Sequence, residues 1–205
     1  MIGNSRIDFA GAYAVTRNFG LTLKGSFNPR TNSQDYNQKV YGDFGLGYTN
    51  TIPANDRFFY SIFGGAGIGS ANGRSTYQQV LVLGNSAPDE IIETASGNYG
   101  KAFIQPSIGW KTPHVELILA PRVTYVSFSN LERARFQDGV GGAVTGGNHF
   151  NYIYEPTFTV RAGGERVKAM AQFGVAIPHN DLTITAFRNR ELIMVLGMQF
   201  SLGGY

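Results

Sequence analysis

The sequence predicts an all-β fold, an antiparallel up-and-down transmembrane β-barrel of about 8–10 strands. Three observations carry that expectation. Apolar and polar residues alternate along many segments, the connections between segments are short and long in turn, and charge is sparse while glycine and aromatics abound. The alternation is clearest from Phe150 to Arg161. There Phe150, Tyr152, Tyr154, Pro156, Phe158 and Val160 are apolar or aromatic, and Asn151, Glu155, Thr157, Thr159 and Arg161 are polar, with Ile153 the exception. Successive side chains of a strand point to opposite faces, so such a segment has one greasy face and one polar face.

Composition narrows the class. Charged residues make up 15% of the 205 residues, well below the roughly 25% of an ordinary soluble protein. There are 27 glycines, and aromatics reach 13%. Mean hydropathy is nevertheless only −0.13, and no apolar run approaches the ~18 residues of a spanning helix. A barrel reconciles these facts, because only every second wall residue meets lipid. The net charge of +3 is scattered and forms no nucleic-acid stripe. Absence of cysteine excludes a disulfide framework, a thiolate nucleophile and a cysteine-bound metal. The opening Met1-Ile2-Gly3-Asn4-Ser5-Arg6 lacks the basic region and apolar core of a signal peptide. No linker divides the chain, which reads as a single β-barrel domain, 1–205.

In chain order the alternation marks nine segments, at 5–16, 19–27, 39–49, 57–69, 101–110, 115–128, 149–162, 166–177 and 191–203. The connections at Thr16-Arg17-Asn18, Asn50 to Asp56, Lys111 to His114 and Gly163-Gly164-Glu165 are short. Those at 28–38, 70–100, 129–148 and 178–190 are long and polar. Tight turns at one end and long loops at the other are the habit of outer-membrane barrels. The last segment then descends and leaves the C-terminus periplasmic. Nine strands break the even-number rule, so the expectation is a missing ascending strand upstream and ten in all, or one over-split segment and eight. Pro106, Pro121 and Pro156 fall inside strands, where each removes a ladder donor, and bulges are expected there. A weak repeat, Ile104-Gln105-Pro106-Ser107-Ile108 against Tyr154-Glu155-Pro156-Thr157-Phe158, is consistent with duplicated hairpins.

Phase assigns the faces. Outward go residues such as Phe9, Leu23, Phe44, Leu46, Ile62, Ile68, Ile104, Leu119, Phe173 and Leu196. Phe27, Tyr48, Phe58, Trp110, Tyr125 and Phe150 lie near strand ends, where aromatic girdles form. Inward go Asp8, Lys24, Asp43, Gln105, Glu116, Arg122, Glu155, Arg161, Lys168, Gln172 and Gln199, among small residues including Gly45, Gly65 and Gly67. Closing the hairpin through 28–38 with Phe27 opposite Val40 sets Lys24 opposite Asp43. A similar register through 129–148 sets Arg122 opposite Glu155. Opposed charges on adjacent strands attract most strongly. The network of Lys24, Asp43, Gln105, Glu116, Arg122, Glu155, Arg161 and Lys168 is therefore expected to be structural, a salt-bridged plug in a narrow lumen.

The stretch Ile7-Asp8-Phe9-Ala10-Gly11-Ala12-Tyr13-Ala14-Val15-Thr16-Arg17-Asn18-Phe19-Gly20, with Val40 to Tyr48, Phe103 to Trp110, Ile153 to Gly163 and the ending Gln199-Phe200-Ser201-Leu202, resembles small outer-membrane β-barrel proteins of Gram-negative bacteria. It looks closest to Bacteroidota-type barrels. The resemblance covers most strands and none of the long loops. It implies an outer-membrane location, contact with outer-membrane lipids or lipopolysaccharide, and insertion by the barrel-assembly machinery, but no activity. Such barrels usually end on an outward aromatic. Tyr205 is out of phase with Phe200 and Leu202, so that pair is the signal-like element.

The chain has no P-loop, HExxH, GxSxG or paired-cysteine site. The run Gly64-Gly65-Ala66-Gly67-Ile68-Gly69 ends a strand with no helix after it and reads as smooth wall. His114 falls in a short turn, and His149 and His179 at the long-loop rim near Ser127 and Ser129. No cofactor or metal is expected. The leading expectation is a non-enzymatic barrel acting through its long loops, or as an envelope-assembly component, with a protein or glycan partner at 70–100 and 129–148. A lipid-modifying barrel enzyme using His149 or His179 and a soluble lipocalin-like ligand carrier remain the alternatives.

Overall fold

The computed structural model describes residues 7–28, 36–79, 89–137, 140–145, 149–164, 166–179 and 192–200. Among them there is no helix. The strands are β1 (Ile7–Ala14), β2 (Phe19–Phe27), β3 (Tyr36–Ile52), β4 (Asn55–Gln79), β5 (Asp89–Lys111), β6 (Val115–Gln137), β7 (Val140–Thr145), β8 (His149–Gly163), β9 (Val167–Val175), β10 (Ile177–Pro178) and β11 (Leu192–Phe200). They form one antiparallel sheet in the order β1-β2-β3-β4-β5-β6-β8-β9-β11, with β7 on β6 and β10 on β8. All nine expected segments are present, so none was over-split. The sheet curls into a half-barrel and stays open. Antiparallel neighbours along an odd path leave β1 and β11 running the same way, so they cannot pair antiparallel with each other.

The short turns lie where the sequence puts them, and local chemistry closes them. Thr16 Oγ1 accepts from the amides of Asn18 and Phe19, 3.3 and 3.1 Å away. Thr112 Oγ1 accepts from the Val115 amide at 3.0 Å. At Gly163 the chain takes a φ of +151°, which a side chain would strain.

At the other end the expected loops 70–100 and 129–148 are largely ladder, whereas 29–35 of the expected loop 28–38 lies outside the described residues. β4 and β5 stay paired from Phe58↔Trp110 to Gln79↔Asp89, and β6 turns at Gln137↔Val140 into β7. The expected loop cores at Val80 to Leu83 and around 146–148, and most of 178–190, lie outside the described residues. The ladder continues past the periodic signal because the outward face turns polar, from Ile62 and Ile68 to Ser70 and Asn72, which erases the apolar contrast without weakening backbone pairing. At about 3.3 Å per residue, the 25 residues of β4 far exceed the roughly 9–11 that cross a bilayer.

Glycines of the wall face aromatic rings. Directly opposed pairs are Phe9↔Gly25, Gly47↔Phe63, Gly65↔Phe103, Gly69↔Tyr99 and Phe59↔Gly109. A Cβ on Gly65 would stand 2.7 Å from Phe103 Cζ. The ring covers backbone that glycine leaves bare, and the missing side chain gives the ring its place.

The strand prolines make no bulges. Ile104↔Val123 and Ile108↔Leu119 share one register, with pairing interrupted between them at Pro106 and Pro121. Pro121 opposes Pro156 directly. β10 continues the register of β9 on β8 after a break level with Pro156, from Thr157↔Gly174 to Ile177↔Tyr154. Missing N–H groups remove ladder bonds there without inserting a residue. The extra residue in this part of the wall lies elsewhere, where the β5–β6 register shifts between Ser96 and Asn98.

Candidate functional site: the charged concave face

Both predicted cross-strand oppositions are present, Lys24↔Asp43 between β2 and β3 and Arg122↔Glu155 between β6 and β8. The contacts go further than the register. Asp43, its side chain 3% exposed, pairs through Oδ1 with Lys101 Nζ at 2.7 Å and through Oδ2 with Arg122 Nη2 at 3.1 Å. β3 and β6 are three strand steps apart, about 14 Å along a sheet at ~4.8 Å per step. The Asp43–Arg122 bridge therefore runs across the concave face and not along it. Room comes from glycine, since a Cβ at Gly67 would collide with Asp43 and meet Lys101 Cε at 3.0 Å.

Aromatic rings complete the cluster. The Arg122 guanidinium carbon lies 3.9 Å from the Phe103 ring centroid, and Lys101 Nζ lies 3.5 Å from that of Tyr41. A cation over a ring gains from its negative face, more so when water is excluded. Arg122 also approaches Glu155 at 4.0 Å and donates from Nε to Thr124 Oγ1 at 3.2 Å. Thr124 in turn donates to Glu155 at 3.4 Å.

A second cluster lies toward the short turns. Glu116 on β6 accepts from Arg161 Nη1 on β8 at 3.2 Å and from Lys168 Nζ on β9. Three adjacent strands are thus tied at one level.

The other predicted members differ. Lys24 faces Asp43 and lies within electrostatic reach of Arg122, Asp43 and Glu155, but both Asp43 oxygens are engaged by Lys101 and Arg122. Gln105 is inward and opposes Phe63. Asp8, expected in the lumen, is exposed because β1 is an edge strand. Lys101 and the inward Tyr41, Phe59, Phe63, Tyr99 and Phe103 were not singled out from sequence. Lys101 shares the phase of Gln105, so the signal existed at the very start of the expected 101–110 segment.

The histidines stay apart. His114 carbonyl accepts from the Gly163 amide at 2.9 Å, joining two short turns. His149 opposes Phe128 on the inward phase, whereas exposed His179 donates its amide to Tyr152, an outward residue, at 2.8 Å. Among the described residues, no cluster of His, Asp and Glu has the grouping of a metal site.

What the fold and this face define is a class, an open antiparallel half-barrel whose concave side is bridged by ion pairs and rings. Comparison with family models, curated proteins and solved structures gives no match.

Proposed function

We propose that the chain is the wall of a non-enzymatic outer-membrane β-barrel whose polar lumen is plugged by side chains. It acts through its projecting hairpins or as a component of an envelope assembly. One observation carries the reading. The outward face is apolar from Phe58 to Ile68 on β4, from Trp110 back to Gly100 on β5, and from Val160 back to Phe150 on β8, and it turns polar beyond Ile68 and Gly100. That height matches the roughly 9–11 residues of a tilted membrane strand. The rings Phe19, Tyr48 and Tyr60 cluster at its short-turn edge, and Tyr125, Phe150 and Tyr152 at the opposite edge. Aromatic side chains suit both interfaces.

Antiparallel closure of the barrel calls for an odd number of further strands between β1 and β11. A second copy inserted the same way offers only edges of the same direction, so it does not meet that requirement. The ion pairs on the concave side favour a filled lumen over an apolar ligand cavity of the soluble-carrier kind.

The test is the mobility of detergent-folded protein on gels, boiled and unboiled, with its solubility when detergent is withdrawn. A heat-dependent shift with precipitation outside detergent is the expected result. A monodisperse protein without detergent would overturn the membrane reading.

A further inference from the structure

Where the apolar belt ends on its long-hairpin side, the outward face holds a concavity of about 480 Å³. Its lining includes the opposed pair Phe27↔Val40, 48% and 45% exposed. Its walls carry the amides of Gln38, Asn72 and Asn98 and the hydroxyls of Ser70 and Ser96. Strand phase explains why they converge: Val40, Ser70 and Asn98 form one cross-strand row, and Gln38, Asn72 and Ser96 form the next. Beside them β6 holds the irregularity of this wall, with Asn98↔Ser129 below it and Ser96↔Glu132 above. An extra residue bends a strand and adds twist, and here it brings Glu132 into the lining.

We propose that this concavity binds a neutral saccharide, the sugar headgroup of a glycolipid whose acyl chains lie on the belt below. The proposal rests on the membrane reading. Side-chain amides offer a donor and an acceptor in one plane, the pattern that adjacent sugar hydroxyls require. Phe27 and Val40 add an aromatic ring and a branched aliphatic to the lining, a surface for the C–H face of a sugar ring. Among the described lining residues there is no lysine or arginine, and Glu132 contributes a negative charge. A phosphate or carboxylate would need cationic partners here and would meet repulsion instead. Placement selects the glycolipid over a free sugar. Ile68, 77% exposed, stands one row below Ser70 on the same face of β4, so polar pocket and apolar belt adjoin.

The experiment uses folded protein in micelles of a detergent without a sugar head. Maltose, lactose and chitobiose are titrated by calorimetry, then dodecyl maltoside against maltose, with glucose 6-phosphate as the anionic control. Saturable binding of at least one neutral disaccharide is expected. Where maltose binds, its dodecyl form should bind about tenfold more tightly, because the micelle raises its local concentration. The double change Asn72→Ala with Asn98→Ala should abolish binding. Ser70→Phe, which fills the concavity from an exposed position, should do the same, and gel mobility reports whether each variant folds. Equal binding by both variants, tighter binding of the phosphate, or no saturable binding by any neutral probe would overturn the proposal. Equal affinity for maltose with and without its chain would reject the glycolipid and leave a free-sugar site. Loss of the mobility shift in the parent protein would sink the membrane reading whether or not sugars bind.

Discussion

The wall strands β3 to β6 and the edge strands β1 and β11 are written in the same alphabet of small residues and outward apolar ones, yet they are held very differently. On β4 and β5 exposure alternates within the belt, and inward positions such as Ser61, Phe103 and Gly109 are buried. Every residue of β1 is exposed. The inward residues of β11, Ile193, Val195 and Gly197, are half-buried. Alternation therefore specifies a two-faced strand and no more. What converts such a strand into wall is material on the far side of the concavity, and only the strands that face Asp43, Arg122 and Phe103 have it.

Changes in the wall should consequently cost far more than matched changes at the edge. Asp43→Ala takes the carboxylate from Lys101 and leaves Arg122 only the more distant Glu155 at 4.0 Å, and should destabilise by roughly 3–5 kcal/mol. Asp8→Ala at the edge should stay within about 0.5 kcal/mol. Urea titrations followed by gel mobility or Trp110 fluorescence compare the two, and similar midpoints would erase the contrast. Next in size are outward charges. Leu119→Arg in the wall and Leu196→Arg on the edge should each cost about 2–4 kcal/mol in a bilayer. A cost at Leu119 alone would mean that the 84%-exposed Leu196 does not face lipid.

Smaller effects sharpen the same contrast. Gly65→Leu forces a side chain against Phe103 and the Phe44 carbonyl and should cost about 1–3 kcal/mol. Ala12→Leu on β1 should be nearly silent, and equal thermal shifts for the two would contradict the packing argument. Smallest is Lys24→Met, within about 1 kcal/mol, because Asp43 keeps both Lys101 and Arg122 when Lys24 is replaced and so is not left an unpaired buried charge. A loss comparable to that of Asp43→Ala would assign Lys24 a bond that its geometry does not give it.

Much of this wall was legible in the sequence for a physical reason. A period of two fixes which residues share a face, and closing the long hairpin with Phe27 opposite Val40, with a similar register through 129–148, places Lys24 opposite Asp43 and Arg122 opposite Glu155. The partner of Asp43 was harder. Lys101 and Arg122 reach it from strands two and three steps away, and that distance depends on curl, which no local pattern encodes. The upper halves of β4, β5 and β6 escaped because Ser70, Asn72 and Ser96 face outward where Ile62 and Ile104 do below, so both faces look polar. The inward rings escaped because hydrophobicity was assigned to one face. Phe63 and Phe103 are inward because Gly47 and Gly65 opposite them leave space.

The prolines give the wall a property that neither face reveals. Pro106, Pro121 and Pro156 stand side by side on three neighbouring strands, and the strands keep the same step above and below them. Hydrogen bonds are missing along a line that crosses the weave without cutting a single thread. Nearby, the Thr157 hydroxyl donates to the Ala120 carbonyl at 2.9 Å, a stitch supplied by a side chain where the backbone ladder is thinned. The wall carries a crease, perforated at mid-height. Register holds across that row, and a one-residue slip would turn every outward residue of the strand inward.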